Sequence, residues 1–310
     1  MNSQKIKSII LLLVSIISLN SCAGIFRNKD DNENAFMGLG FGAQNKKFEL
    51  PVGSSVLKDQ SYGVEREQTL DIYLPKKELI KINSPIIIMV HGGAWMFGDK
   101  ANHPVVANKI NRWLKKGMVF VSINYRMSRS PNPLDQVDDV EAAVAFIIAN
   151  ASKYGADPKK IILMGHSAGA HLISLMNSHS KFSKNYPNNH WLGIISLDSA
   201  AFDLVEIMER KHYRFYDRVF GKDKFFWEST SPLHQLKEKI SPTFLVCSTK
   251  RSDSCPQAEA FAKKANLTGS LSQVLKVPLS HGEVNLNLGL EENYTQEVEK
   301  FMKDLGFYID

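Results

Sequence analysis

Gly165-His166-Ser167-Ala168-Gly169 has the composition of a turn that presents a serine hydroxyl. An apolar run, Ile161 to Met164, precedes it, and a helix-forming stretch, Ala170 to Met176, follows. A turn sharp enough to join a strand to a helix there crowds the backbone, hence the small residues around the serine. A serine hydroxyl is a weak nucleophile at neutral pH unless a base takes its proton, and the base needs a carboxylate to orient it. Six histidines follow Ser167: His171, His179, His190, His212, His234 and His281. Only His281 comes after the last strand-like run, Val274 to Val277, and before the last helical stretch. His171, one turn past the serine on the same helix, reads as a packing residue, and the others as residues of loops or of an insertion. Two carboxylates compete for the orienting role. Asp253 lies just past the apolar run Thr243 to Val246, and Asp198 follows the preceding run, Gly193 to Leu197. Asp253 is the preferred reading, and Asp198 stays open.

A second signal is His91-Gly92-Gly93-Ala94-Trp95, directly after the apolar run Ile86 to Val90. A glycine pair in that position leaves backbone N–H groups free to point into a cleft. Such donors, held ready for an oxygen that gains negative charge, are worth about 3–4 kcal/mol each to acyl transfer. His91 reads as structural within this loop. A phosphate-cradling loop is the rival reading, but no Gly-Lys-Ser/Thr follows.

These residues need a scaffold that brings strand ends together. Thr69 to Leu74, Ile86 to Val90, Val119 to Ile123, Ile161 to Met164, Gly193 to Leu197 and Thr243 to Val246 are short, mostly apolar runs. Such runs suit strands buried on both faces of a parallel sheet. Helical stretches lie between them: Asp135 to Asn150, with Val137, Val140, Val144, Ile147 and Ile148 at helical spacing, then Gln257 to Ala265, and finally Glu291 to Leu305. The alternation predicts an α/β fold with a mainly parallel central sheet flanked by helices. Residues 202–236, rich in aromatics, interrupt it as a lid-like insertion after the sixth strand.

The 310 residues, 44% of them hydrophobic, are enough for one sizeable core. Met1 to Cys22 reads as an export signal: Lys5 and Lys7 open it, and Ile9 to Leu19 is almost wholly apolar but too short to span a bilayer. Its end, Leu19-Asn20-Ser21-Cys22, resembles the lipobox of bacterial lipoproteins. That resemblance implies a signal peptide over 1–21, a lipid on Cys22, and an exported protein anchored to the bacterial cell envelope, on its periplasmic or outer-membrane face. Residues 22–46 then read as a flexible tether, and 47–310 as the folded domain. Removing Lys5 and Lys7 reduces the formal charge from +6 to +4, a surplus that says little about partners. No Arg/Lys run or nucleic-acid motif is present, which disfavours nucleic-acid binding. An exported chain permits Cys247 and Cys255 to pair, the alternative being a buried strand cysteine and a separate loop cysteine. Oligomeric state is not legible.

Taken together, the motifs resemble the esterase/lipase branch of the α/β-hydrolases. They are most similar to feruloyl-esterase-like proteins, hormone-sensitive-lipase-like esterases and kynurenine formamidases. The segments that carry the resemblance are Asp71-Ile72-Tyr73-Leu74-Pro75, the His91 to Trp95 loop, Asn124-Tyr125-Arg126, Gln136-Val137-Asp138-Asp139-Val140, Gly155-Ala156-Asp157-Pro158, the Gly165 to Ala170 turn, Asp253 with Gln257, and Ser280-His281-Gly282. The resemblance implies an α/β-hydrolase fold and a Ser167–Asp253–His281 triad. Gly93, Ala94 and Ala168 would supply the oxyanion N–H groups. It implies a serine carboxylesterase that hydrolyses short-chain or aromatic esters of small molecules through an acyl-enzyme, with no metal or organic cofactor. Ala94-Trp95 departs from the all-glycine loop toward the formamidase type, so aryl formamidase activity is one alternative. A non-catalytic binding protein on the same fold is the other.

Overall fold

Five-residue runs such as Val119 to Ile123 are too short for a stable helix and too apolar for a sheet with one wet face. In the computed structural model, which describes residues 47–80, 83–179 and 191–307, they are the wholly buried centre of one eight-stranded sheet. The expected signal peptide, Cys22 and the tether lie outside the described residues.

The strands are β1 (Ser55–Ser61), β2 (Thr69–Leu74), β3 (Ser84–Val90), β4 (Val119–Ile123), β5 (Ala156–His166), β6 (Gly193–Leu197), β7 (Thr243–Ser248) and β8 (Ser272–Val277). Their spatial order is β1-β2-β4-β3-β5-β6-β7-β8. The β1–β2 and β2–β4 pairs are antiparallel, and every later pair is parallel. β1 has no strand-like apolar run; it is a polar, largely exposed edge defined by its pairing to β2.

Alternate strand residues feed two cores. On one face Ile86, Ile88, Val121 and Leu163 meet Val137, Val140 and Val144 of α2 (Pro133–Asn150) and Leu172 and Leu175 of α3 (Ala168–Ser178). On the other, Ile87, Met89, Phe120 and Ile162 meet Ile110 and Trp113 of α1 (His103–Trp113) and Val298 and Phe301 of the last helix. Between β6 and β7 the interruption is a run of four short helices, α4 (Leu204–Glu209), α5 (Arg214–Phe220), α6 (Lys224–Thr230) and α7 (Pro232–Gln235). After β7 come α8 (Ser254–Leu267), α9 (His281–Leu286) and α10 (Asn293–Asp304).

The parallel register aligns the strand ends. Val90 pairs with Gly165, His166 with Leu197, Leu197 with Val246, and Ser248 with Val277. Segments leaving these strands therefore emerge along one carboxyl edge, where open α/β sheets place their sites.

Candidate active site

Ser167 stands between β5 and α3 with φ 54° and ψ −117°. A non-glycine residue there costs about 1–3 kcal/mol and persists only where its surroundings enforce it. The enforcement is visible. Its N–H donates to the Leu197 carbonyl at 2.9 Å. A Cβ on Gly165 would lie 2.6 Å from the Gly169 carbonyl carbon, and one on Gly169 2.3 Å from the Val90 oxygen. Both glycines of the motif are thus required by close backbone approach.

The glycine loop after β3 lies against this turn. A Cβ on Gly92 would come within 3.0 Å of the Ser167 Cβ. Gly93 has φ 137°, and a Cβ there would collide with the Phe97 carbonyl. Ala94 and Trp95 follow at φ 50° and 62°. Among the hydrogen bonds of the described residues, none takes up the N–H of Gly93 or Ala94. The N–H of Ala168 belongs to the first turn of α3, where helical bonding leaves donors free. His91 is buried, stacked on Tyr125 with ring centroids 4.5 Å apart, and burial lowers its pKa, as suits a structural imidazole.

His281 opens α9, whose start is fixed by a capping box between Ser280 and Glu283. Lys109 of α1 holds the far end, its buried ammonium donating to the Asn285 carbonyl and Oδ1 at 2.6 and 2.9 Å, and burial pushes its pKa down to about 7. His166 packs its ring on His281, centroids 4.5 Å apart, with Nε2 3.0 Å from the His281 carbonyl oxygen. Burial holds the His166 pKa well below the ordinary imidazole value, so the neutral ring donates there. In sequence His166 was merely the variable residue before the serine.

The carboxylate beside His281 is Asp198, whose Oδ2 lies 2.6 Å from His281 Nδ1. This corrects the preference for Asp253, which is half-buried and faces Arg251 at 3.4 Å. The reason is the shape of the loop after β7. It turns its residues toward Asp198: the Ser248 N–H donates to Oδ1 at 2.7 Å, the Ser254 hydroxyl donates to the same oxygen, and Arg251 Nη1 donates to Oδ2 at 3.0 Å. Burial alone would raise the Asp198 pKa. The hydrogen bond and charge of His281, with Arg251 and Ser254, outweigh it and hold the carboxyl far below the usual range. His281 is pushed below the ordinary imidazole value, first by burial and then by Arg251, whose Nη1 sits 2.9 Å from Nδ1. Arg251 carried no sequence signal, because its role depends on a loop conformation. That loop is closed by a Cys247–Cys255 disulfide, the pairing left open by the sequence.

His171 does more than pack. Its Nδ1 accepts from the Trp95 indole N–H at 3.1 Å, and its Nε2 lies 2.8 Å from the Thr230 carbonyl.

The fold and parts of the sequence have known counterparts. The isoprenylcysteine alpha-carbonyl methylesterase ICME of Arabidopsis thaliana is 26% identical over 252 residues, covering 74% of this chain and 56% of that protein. The esterase LipQ of Mycobacterium tuberculosis is 28% identical over 218 residues, covering 65% and 50%. The chain thus spans about half the length of these relatives. A truncated carbohydrate esterase from gut microbiota superposes with a TM-score of 0.71 at 20% identity, over 84% of this chain and 99% of that one. Esterase B from Lactobacillus rhamnosis superposes with a TM-score of 0.69 at 19% identity, over 87% and 91%. These superpositions show the α/β-hydrolase fold. The BD-FAE family model matches residues 70–264, and the chain belongs to that family.

Proposed function

We propose that the protein is a serine hydrolase acting on carboxylic esters. The observation that carries the reading is the buried Asp198–His281 pair at 2.6 Å, on the sheet edge that also carries the strained Ser167 turn and the loop abutting it. A carboxylate on Nδ1 holds the imidazole proton there and leaves Nε2 as the atom that accepts one.

In this reading Ser167 Oγ attacks the ester carbonyl carbon while His281 Nε2 takes the hydroxyl proton. The carbonyl oxygen becomes an oxyanion and accepts hydrogen bonds from the N–H groups of Gly93, Ala94 and Ala168. The imidazolium, stabilised by Asp198, protonates the leaving alcohol as the C–O bond breaks. Water, deprotonated by His281, attacks the acyl-enzyme, and the acid leaves as Ser167 recovers its proton. Substrates are small-molecule esters with short or aromatic acyl groups. The support is the aromatic lining of the insertion, where Phe215, Tyr216 and Phe220 gather at Trp95, in place of a long aliphatic cover.

The test combines labelling with turnover. A fluorophosphonate probe is expected to label Ser167 and to leave Ser167→Ala unlabelled, with kcat of that variant reduced about 10⁴- to 10⁶-fold. Turnover across acyl esters of increasing length, with a formyl arylamide alongside, is expected to be fastest on short or aromatic acyl groups. Labelling of Ser167→Ala at another serine overturns the nucleophile assignment. Fastest turnover on the formyl arylamide assigns the site to amide chemistry instead.

A further inference from the structure

We propose that His171 is a positioning residue for the oxyanion loop, with its tautomer fixed between the Trp95 indole of that loop and the insertion between β6 and β7. This rests on the ester-hydrolase reading, because the loop matters only if an oxyanion forms beside it.

The loop needs external support. Gly93, Ala94 and Trp95 all have positive φ, and two of the three carry a Cβ. Such a run relaxes unless neighbours enforce it. The enforcement converges on Trp95, the residue after Ala94. Its carbonyl accepts from the Gln136 amide of α2 at 2.7 Å. Its indole is buried against the rings of Phe220, Tyr216 and Phe215 in α5, and edge-on to His171 at 5.2 Å. A further restraint is the indole N–H donating to His171 Nδ1.

That hydrogen bond dictates where the His171 proton sits. An indole N–H only donates, so Nδ1 must carry its lone pair, and a neutral ring then has its proton on Nε2. Nε2 faces the carbonyl of Thr230, the last residue of α6, which can only accept. One tautomer satisfies both partners and the other satisfies neither. Burial keeps the ring uncharged, with its pKa lowered to about 4. His171 is also the fourth residue of the helix that Ser167 begins, and its N–H donates to the Ser167 carbonyl at 3.0 Å. One imidazole thus ties together the nucleophile helix, the loop and the insertion.

Loosening the loop would displace oxyanion donors while leaving the nucleophile and its base in place. The effect belongs in the transition state, where the oxygen carries charge, and not in ground-state binding. Misplacement by about 1 Å is enough to cost on the order of 10²-fold.

The experiment uses the full chain. Trp95→Phe keeps a ring and removes the N–H, and His171→Phe keeps the ring and removes both nitrogens. Each is expected to lower kcat on a short acyl ester by at least about 10-fold with KM within about twofold. The double variant is expected to be no slower than the slower single, because both remove the same link. A smaller loss in either single, a loss carried by KM, or losses that multiply in the double overturns the proposal. Wild-type protein supplies a measurement that needs no variant: ¹⁵N–¹H correlation of the histidine rings is expected to place the His171 proton on Nε2. A proton on Nδ1 overturns the proposal whether or not the variants fold. Wild-type protein that neither turns over esters nor reacts with fluorophosphonate overturns the functional reading. Active wild type with insensitive variants overturns this inference alone.

Discussion

Asp198 Oδ2 and His281 Nδ1 lie 2.6 Å apart across 83 residues of sequence, with the carboxylate also bonded by Ser248, Arg251 and Ser254. An anion so fully satisfied and so deeply buried has one orientation, and it passes that orientation to the imidazole. The Asp253 carboxylate instead faces the half-buried Arg251 at 3.4 Å.

Asp198→Asn should therefore lower kcat by about 10⁴-fold, because the amide keeps the shape while removing the charge that stabilises the imidazolium. Asp253→Asn should stay within about tenfold of wild type. Steady-state kinetics on both variants, after circular dichroism has shown that each is folded, checks the pair. The reverse ranking would return the acid to the loop after β7.

The guanidinium of Arg251 should show in the pH profile. Burial and Arg251 together lower the His281 pKa, so this imidazole, the base of the proposed mechanism, stays neutral to pH values below the ordinary imidazole midpoint. Removing the positive charge makes the imidazolium easier to form. Arg251→Met should raise the His281 pKa and move the acid limb of kcat/KM, which reports the free enzyme, to higher pH. An unmoved limb, or one displaced to lower pH, would show that Arg251 does not act on His281 through its charge.

Cys247 and Cys255 close the loop that carries Ser248, Arg251 and Ser254, the partners of Asp198. Cys247→Ala with Cys255→Ala should destabilise the fold by about 2–3 kcal/mol, the loop-closure entropy expected for so short a ring. It should also lower kcat, because three ligands of the acid lose their tether. Denaturant unfolding gives the first quantity and kinetics under native conditions the second. Unchanged kcat alongside reduced stability would make the disulfide a purely structural staple.

We propose that Cys22 carries a membrane anchor. One acyl chain binds a membrane only marginally, at about 0.8 kcal/mol per buried CH₂, so lasting attachment needs several chains on one cysteine. Cys22→Ser should release the protein from the membrane fraction or block its maturation, with intrinsic esterase activity unchanged. Fractionation with membranes as in wild type would dismiss the lipid anchor.

Much of the fold was legible because its strands are nearly continuous apolar runs. Thr69–Leu74, Val119–Ile123 and Gly193–Leu197 were readable to the residue, since burial on both faces favours apolar side chains at most positions. β1 was not legible: Ser55–Ser61 is polar and exposed, and only its partner β2 makes it a strand. Ser167 and its flanking glycines stood out because the constraint on them is local, a turn too tight for larger side chains.

What tertiary structure alone decided were the relations between separate strand ends. Asp198 and Asp253 each follow a strand in the right order, and no periodicity distinguishes them. The choice came from the path of the 248–254 loop, which turns its hydroxyl, amide and guanidinium donors onto Asp198 and leaves Asp253 on Arg251. His171 reads as packing in sequence for the same reason. A histidine becomes a bridge only when a pure donor and a pure acceptor meet its two nitrogens, and here these come from residues 76 and 59 positions away, Trp95 and Thr230. Side-chain type and local spacing prescribe which chemistry is available. Which groups perform it together depends on long-range register, because the hydrogen bonds that orient them extend only about 3 Å and link segments far apart in the chain.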